Sequence, residues 1–251
     1  MVISHIYKYV FVELPFTGTT SIAGVLLEHC EGARTLHRHA TYNEFLKIAT
    51  PQEKEYFVFS CIRNPLDVAV TDYCKHKAGF YKKFSNPGKS SSRRKRLVNS
   101  HKLRKMKFIT DPEVSFSTYF LRYYKLPYDD WSAISHTHCN VVLRYEHLQQ
   151  DFSRALKKIG IEDDVRLPVA NKTAGKRDDF VSFYDARAVE RAKHVFGPYM
   201  KKWCYDFPSQ WGETSLSWQV QKEHQAANVV RRFCWTYLKP IAARWALFEN
   251  R

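Results

Sequence analysis

Several features that mark other protein classes are missing from this sequence. Its six cysteines form no CxxC pair, and no Cys/His cluster has zinc spacing, which argues against a structural metal site. No stretch approaches the roughly 20 apolar residues that a membrane-spanning helix needs. No signal peptide is apparent, because the first residues lack a basic region followed by an apolar core. We therefore expect a soluble, cytoplasmic protein with reduced cysteines.

Acidic residues are scarce relative to basic ones, since 25 Asp and Glu stand against 40 Lys and Arg, for a formal charge of +15. Such a surplus predicts attraction to polyanions such as nucleotides, acidic glycans, nucleic acids or anionic lipids. No acid occurs between Tyr73 and Thr110, and the centre of that stretch is poor in apolar residues. We interpret residues 82–107 as a basic flexible insertion, either a solvated loop or a loop that guides a polyanion to an active site.

Nucleic acid binding is a competing interpretation of this insertion. The run from Lys89 to Lys107 has the charge of a nucleic-acid-binding segment. The sequence contains no recognisable helix-turn-helix, zinc finger or other reading element. We therefore expect no sequence-specific nucleic acid partner.

Short apolar runs rich in β-branched and aromatic residues alternate with helical patterns along the chain. The runs Tyr7–Leu14, Glu55–Ile62 and Cys139–Tyr145 predict strands, the first of them buried on both faces. Helical spacing follows the first run at Ser21–Glu28 and the second at Pro65–Lys77. Further helical patterns cover Pro112–Lys125, Asp151–Ile159, Ala186–Phe196 and Ser215–Phe248. Strands that alternate with helices predict an α/β fold of three layers with a central parallel sheet.

The segment from Leu14 to Ser21 (LPFTGTTS) joins the first predicted strand to the first predicted helix. Glycine lets a backbone pass close to an anion, and amides at the start of a helix donate to it along a favourable dipole. Three threonines and a serine add hydroxyl donors. The turn lacks the lysine of the ATP-binding motif GxxxxGK[ST], which counts against a kinase or ATPase. An anion site and an ordinary capped helix start are both compatible with these residues.

This segment resembles the PKTGTTS loop of sulfotransferases that use 3′-phosphoadenosine-5′-phosphosulfate (PAPS). The resemblance implies that the 5′-phosphosulfate is held by Phe16, Thr17, Gly18, Thr19, Thr20 and Ser21. Phe16 stands where the family carries a lysine that assists the departing phosphate. Either another basic side chain such as Lys8 or Lys172 takes over this role, or the chain is slow or inactive in transfer.

A second block, from Cys61 to Thr71, is similar to the family's RNPxDxxxS element. The similarity implies that Arg63 and Thr71 hold the 3′-phosphate of the donor, with Asp67 in a structural role near the helix start. An arginine at a strand end can form paired charge-assisted hydrogen bonds to phosphate. A surface salt bridge is the alternative for Arg63 taken alone.

Between these two blocks, Leu36 to Phe45 resembles the KHxTxxE stretch of carbohydrate sulfotransferases. The resemblance implies that His39 is the catalytic base. An attacking hydroxyl must lose its proton, and histidine titrates near the working pH. His37 is the competing choice.

Two further blocks follow in order. Arg144 to Phe152 resembles the family's RYExLxxDF segment, which we interpret as mainly architectural. Leu167 to Thr173 resembles its LPxxNxS/T turn, which implies that Lys172 and Thr173 contact the nucleotide. The collinear blocks span about residues 5–207 and imply the P-loop-like fold of sulfotransferases.

Together the blocks predict an enzyme that transfers a sulfuryl group from PAPS to a hydroxyl acceptor and releases 3′-phosphoadenosine-5′-phosphate (PAP). The histidine block favours a carbohydrate acceptor, and the basic charge suits an acidic one. The alternatives are a non-catalytic relative that binds PAPS or PAP, and a basic nucleic-acid-binding protein. The predicted sulfotransferase domain covers residues 1–210, with a helical extension over 211–251.

The end of this extension mixes arginines with Trp and Phe between Arg231 and Phe248. It predicts a helix that packs on the domain or on a partner subunit, such as a second copy of the chain. Contact with a membrane surface is the alternative.

Overall fold

The computed structural model describes residues 1–80, 103–130, 132–162, 165–168, 173–177 and 179–237. They divide into two compact units. Unit 1 is formed by residues 1–64 and 130–172, and unit 2 by residues 65–129 and 173–251. Most of the predicted basic insertion, Lys172 and residues 238–251 lie outside the described residues, whereas residues 103–107 are helical.

The sheet of unit 1 contains five strands among the described residues. They are β1 (Val2–Ser4), β2 (Tyr9–Val12), β3 (Ala33–Arg34), β4 (Phe57–Ile62) and β5 (Val141–Arg144), in the order β3-β1-β2-β4-β5. The helices in chain order are α1 (Thr19–His29), α2 (Tyr42–Leu46), α3 (Pro65–Lys77), α4 (103–110), α5 (Phe116–Tyr123), α6 (Ser132–Ser135), α7 (Leu148–Lys158), α8 (Ala186–Lys202) and α9 (Trp218–Tyr237). Short 3₁₀ turns cover Glu53–Glu55, His136–His138, Tyr145–His147, Val181–Phe183 and Ser209–Trp211.

The sheet is mixed, so the prediction of a parallel sheet is correct for only part of it. Strands β2, β4 and β5 are parallel, and β1 is antiparallel to both β2 and β3. The reason is the short connection at residues 5–8, where Lys8 has a φ of 51°. A connection this short can join only antiparallel neighbours, because a parallel crossover needs a dozen or more residues.

Alternation along the central strands sends side chains to two buried faces of the sheet. Tyr9, Phe11 and Phe59 face a cluster that includes residues of α1 and α7. Val10 and Val58 face a second cluster closed by residues of α2. Burial on both faces explains why these strands are continuous apolar runs in the sequence. Unit 1 is therefore a three-layer α/β arrangement.

Unit 2 is helical in its described part and is built around an aromatic core. The fully buried rings come from α5, the residue after it, and α8: Tyr119, Phe120, Tyr124, Phe196 and Tyr199. Helix α3 contributes Leu66 and Val70 to the same core and begins at Pro65, a residue that suits the first helical position. Among the described residues of the chain, none of the helices is both long and apolar enough to cross a membrane.

Candidate anion-binding site at the carboxyl edge of the sheet

The turn between β2 and α1 is held by its own backbone and hydroxyl groups. Gly18 occupies the N-cap position of α1 with φ 72° and ψ 7°, in the left-handed region. The hydroxyls of Thr17 and Thr19 both donate to the carbonyl of Leu14, each at 3.0 Å. In this conformation these two hydroxyls stabilise the turn. The amide of Ser21 donates to the carbonyl of Gly18 at 3.0 Å, so the donors offered to an anion are the first two amides of α1.

The φ angle of Gly18 favours glycine, and the neighbouring side chains leave little room for a Cβ atom. A Cβ atom at this position would lie 2.7 Å from a methyl carbon of Leu148 and 3.2 Å from the ring of Tyr145. These two residues follow β5, so the turn after β2 packs closely against the chain after β5. Close backbone approach of this kind needs glycine.

Arg63 connects the ends of three strands. It follows β4 directly and is 7% exposed. Its Nη1 donates to the carbonyl of Phe16 at 2.9 Å, and its guanidinium carbon lies 3.9 Å from the ring centre of Tyr145. The cation is therefore fixed beside the start of α1 by a hydrogen bond and by a cation–π contact.

The main chain after β5 is tied to the main chain after β4. The carboxylate of Glu146 accepts a hydrogen bond from the backbone amide of Asn64 at 2.7 Å. The carboxylate of Asp151 accepts one from the amide of Arg144 at 2.8 Å. These contacts give the Arg144 to Phe152 block a role in holding the edge of the sheet together.

His39 lies against the end of β2, on the loop before α2. Its Nδ1 is 3.1 Å from the backbone carbonyl of Glu13. A carbonyl can only accept, so Nδ1 carries the proton and the neutral ring has its lone pair on Nε2. Burial lowers the pKa of His39 and the neighbouring Arg38 adds to that effect, while the hydrogen bond to Glu13 opposes it. The lowered pKa favours the neutral form of the ring.

His37 has a different environment. Its side chain is 60% exposed, and Nε2 lies 3.9 Å from the carboxylate of Glu44. This contact directs the ring toward α2. Of the two histidines, His39 is the one in contact with the strand that leads into the turn.

Arg38 is a residue of this site that the sequence did not single out. Its Nη2 bonds to the hydroxyl of Thr20, and its Nε lies 3.6 Å from the carboxylate of Glu13. The side chain of Glu13 is fully buried, and its carboxylate also forms an ion pair with Arg34. The signal available in the sequence was only the position of Arg38 between two histidines, because its contacts depend on how the loop folds back on the turn.

Thr71 belongs to unit 2 and lies in α3. It is 1% exposed, and its hydroxyl oxygen has no hydrogen-bond partner within the described part of the chain. Burying an unsatisfied hydroxyl is costly, so a buried hydroxyl of this kind calls for a partner.

Residues 173–177, which include the predicted contact Thr173, lie along α3 in unit 2. Lys176 forms an ion pair with Asp67, and the thiol of Cys74 is 3.8 Å from the carbonyl of Gly175. Asp67, Thr71 and Cys74 share one helix face by their spacing of four and three residues. Asp67 therefore has the structural role near the helix start that the sequence predicted.

The lysine that would replace Phe16 is not supplied by Lys8. Lys8 precedes β2, at its amino end, whereas the turn with Phe16 follows the carboxyl end of the same strand. Phe16 itself has a φ of 69°, a conformation that costs a non-glycine residue roughly 1–2 kcal/mol.

No known family model, curated protein or solved structure matches this chain.

Proposed function

We propose that this chain is a PAPS-dependent sulfotransferase with a P-loop-like fold, which transfers a sulfuryl group to a hydroxyl of a carbohydrate. The observation that carries the proposal is that three features lie on segments following the carboxyl ends of the parallel strands or contacting them there. They are the glycine start of α1, the buried cation of Arg63 and the neutral ring of His39. Ligands of open α/β sheets bind at this edge.

The start of α1 suits the 5′ end of the donor. Amides at a helix start stabilise negative charge without reorganisation. The turn has no lysine, and a sulfuryl group carries less charge than a γ-phosphoryl group, so the transfer can proceed without a metal clamp. These features favour PAPS over ATP as the donor.

His39 is assigned the role of general base. With Nδ1 donating to the carbonyl of Glu13, Nε2 accepts the proton of the acceptor hydroxyl. The acceptor oxygen forms a bond to sulfur while the bond from sulfur to the 5′-phosphate oxygen breaks, and PAP is the other product. A positioned base of this type contributes roughly 10²- to 10⁴-fold in rate.

The 3′-phosphate is assigned to Arg63 and Thr71, as the RNPxDxxxS similarity implies. Thr71 belongs to unit 2. Its assignment is supported by its hydroxyl, which is buried and has no hydrogen-bond partner among the described residues. The assignments of Lys172 and Thr173 to the nucleotide rest on the sequence. The acidic character of the acceptor rests on the +15 charge of the chain.

A non-catalytic protein that binds PAPS or PAP is the second candidate, and Phe16 in the place of the family lysine favours it. Nucleic acid binding has less support. Lys105, which belongs to the basic run, is 6% exposed and pairs with Asp72 at 3.2 Å, so this lysine serves the core of unit 2.

Thermal unfolding in the presence of nucleotides tests the donor site. PAP at about 100 times its dissociation constant should stabilise the fold by about 2.7 kcal/mol. For a chain of this size that corresponds to a rise in Tm of roughly 5–10 °C. ATP and adenosine 5′-phosphosulfate, which lacks the 3′-phosphate, should give much smaller shifts, and magnesium should not be needed. Equal shifts with all three nucleotides would reject the PAPS site.

Turnover separates the two candidates. The protein is incubated with PAPS and a panel of neutral and acidic glycans, and the products are analysed by mass spectrometry for the added sulfate group. Sulfated products support the enzyme. Binding of PAP without any sulfated product supports the non-catalytic relative.

A further inference from the structure

The turn that starts α1 contains no basic side chain. Residues 14–21 read LPFTGTTS, and the hydroxyls of Thr17 and Thr19 are used within the turn. If the proposed function is correct, the 5′-phosphate of the donor gains negative charge at this turn as the bond to sulfur breaks. A cation from elsewhere in the fold has to compensate that charge.

Arg63 does not fill this role, because it is assigned to the 3′-phosphate, its Nη1 already binds the carbonyl of Phe16 and its guanidinium carbon lies 3.9 Å from the ring centre of Tyr145. Arg34, which lies in β3, forms an ion pair with Glu13. Among the described residues near the turn, Arg38 is the cation whose guanidinium contacts the first turn of α1 by a side-chain hydrogen bond.

The geometry of Arg38 is that of a held cation. Its Nε edge faces the buried carboxylate of Glu13 at 3.6 Å, and its Nη2 lies on the hydroxyl of Thr20. Thr20 is exposed and is the second residue of α1. The buried carboxylate thus orients the guanidinium, and the Nη2 group lies at the start of the helix.

The charge balance leaves Arg38 available to an anion. Glu13 contributes one negative charge, and the guanidinium groups of Arg34 and Arg38 both contact its carboxylate. The terminal amine of Met1 also donates to this carboxylate at 2.8 Å, so three basic groups share one negative charge and leave a local surplus of positive charge. The Glu13 carboxylate is fully buried, whereas the side chains of Arg34 and Arg38 are 44% and 50% exposed, so the positive charge is accessible from solvent.

We propose that Arg38 is a catalytic residue that binds the 5′-phosphate of the donor. Its guanidinium stabilises the negative charge that develops on this phosphate, for which residue 16 provides no cation. The proposal rests on the proposed function. As the acceptor oxygen bonds to sulfur and its proton moves to Nε2 of His39, the electron pair of the broken bond goes to the 5′-phosphate. Arg38 stabilises that phosphate by charge-assisted hydrogen bonds.

Calorimetric titration of four proteins tests this role without knowledge of the acceptor. The proteins are the wild type, Arg38→Gln, Arg38→Lys and Arg34→Gln. The ligands are PAP and adenosine 3′-phosphate, which lacks the 5′-phosphate. Arg34→Gln is the matched control, because Arg34 shares Glu13 with Arg38 and does not bind Thr20 in the structure.

Arg38→Gln should weaken PAP binding by about 10- to 100-fold, the range of a lost charged hydrogen bond. Binding of adenosine 3′-phosphate should stay within about twofold. Arg38→Lys should give an intermediate loss, since it keeps the charge and loses the fork. Arg34→Gln should weaken PAP binding much less than Arg38→Gln does, because Arg34 pairs with Glu13 and does not bind Thr20 in the described structure. Phe16→Lys added to Arg38→Gln should recover most of the lost PAP affinity.

The outcomes separate the two proposals. A wild type that does not bind PAP overturns the proposed function and the role of Arg38 with it. A wild type that binds PAP, together with an Arg38→Gln protein that binds it equally well, overturns Arg38 alone. Equal losses for both ligands, or the same loss in Arg34→Gln, also overturn the role, because they indicate a general disturbance of the loop.

Discussion

The guanidinium of Arg63 donates a hydrogen bond to the backbone carbonyl of Phe16 at 2.9 Å, across a separation of 47 residues. Two turns that follow adjacent parallel strands are joined by this contact. It uses the backbone of residue 16 and does not depend on the side chain there. The position of the turn on the sheet is therefore independent of the phenylalanine side chain at residue 16.

Gly18→Ala should destabilise unit 1 by roughly 1–3 kcal/mol, because the new Cβ is strained at φ 72° and lies 2.7 Å from Leu148. Gly24→Ala is the matched control inside α1, where nothing lies within 4 Å of the new Cβ. It should stabilise the helix by about 0.5–1 kcal/mol. Urea unfolding measures both. Gly160→Ala, at φ 83° with open space, separates strain in φ from the clash. A Gly18→Ala protein as stable as the wild type would contradict the close approach of Leu148.

His39→Ala should lower the rate of PAPS-dependent transfer by about 10²- to 10⁴-fold if this residue is the base. His37→Ala should change it by less than about threefold, because that exposed ring pairs with Glu44. Single-turnover assays with the best glycan compare the two variants. The opposite ranking would assign the base to His37.

The pH dependence of the wild type provides a further check on His39. A base must be unprotonated, so activity falls as pH drops through its pKa. Burial lowers the pKa of His39, so the acid limb of kcat/KM should have its midpoint below the ordinary histidine value of about 6.5. A midpoint above that value would show that another group limits the reaction.

Thr71→Val should separate stability from ligand binding. The hydroxyl of Thr71 is buried without a partner in the described structure, so its removal should leave the free energy of unfolding unchanged or raise it by about 1 kcal/mol. Affinity for PAP should nevertheless fall by about tenfold or more if this hydroxyl binds the 3′-phosphate. Thr71→Ser, which retains a hydroxyl, is the control and should bind PAP like the wild type. Unchanged PAP affinity in Thr71→Val would remove Thr71 from the site.

His76 should make unit 2 less stable in acid. Burial lowers its pKa to about 4, with Lys105 acting in the same direction and Asp72 opposing. The unfolded chain, with a histidine pKa of about 6.5, binds more protons between those two values, so the free energy of unfolding decreases as pH falls through this window. The loss should reach at most about 3 kcal/mol.

The comparison of His76→Gln with the wild type isolates this contribution. The variant should lose less stability between pH 7 and about pH 4 than the wild type does. His29→Gln is the control for the loss of a histidine, since that side chain is 58% exposed and belongs to unit 1. Parallel curves for the wild type and His76→Gln would show that His76 is solvated in both states.

Helix α9 presents apolar side chains to solvent, which bears on the predicted membrane contact. Val229 is 70% exposed and Phe233 56%, and their spacing of four residues places them on one face. If the helix binds an anionic membrane surface, replacing both with serine should reduce co-sedimentation with phosphatidylserine vesicles by about tenfold or more. Ile48→Ser, at a side chain 59% exposed in unit 1, is the control. If the wild type does not co-sediment with the vesicles, α9 does not bind an anionic membrane surface, and its exposed apolar face is then expected to bind a protein partner.

The local pattern of the sequence was sufficient for elements whose signal lies in neighbouring residues. Helix α3 was predicted at its observed bounds, because Pro65 starts it and its apolar spacing is regular. Strands β2 and β4 were located within two residues, because burial on both faces produces continuous apolar runs. Strand β1 was missed, since three residues at the start of the chain carry too weak a pattern.

The candidate site was only partly determined by the sequence. The sequence by itself placed glycine, arginine and histidine in blocks suited to an anion, since these residue types have fixed chemistry wherever they occur. Tertiary structure decided how they are used. In the folded chain the hydroxyls of Thr17 and Thr19 donate to the carbonyl of Leu14. Arg38 forms a hydrogen bond with Thr20 and an ion pair with the buried carboxylate of Glu13. The physical reason is that a hydrogen bond or ion pair depends on distance and burial, which arise only when segments far apart in the chain pack together.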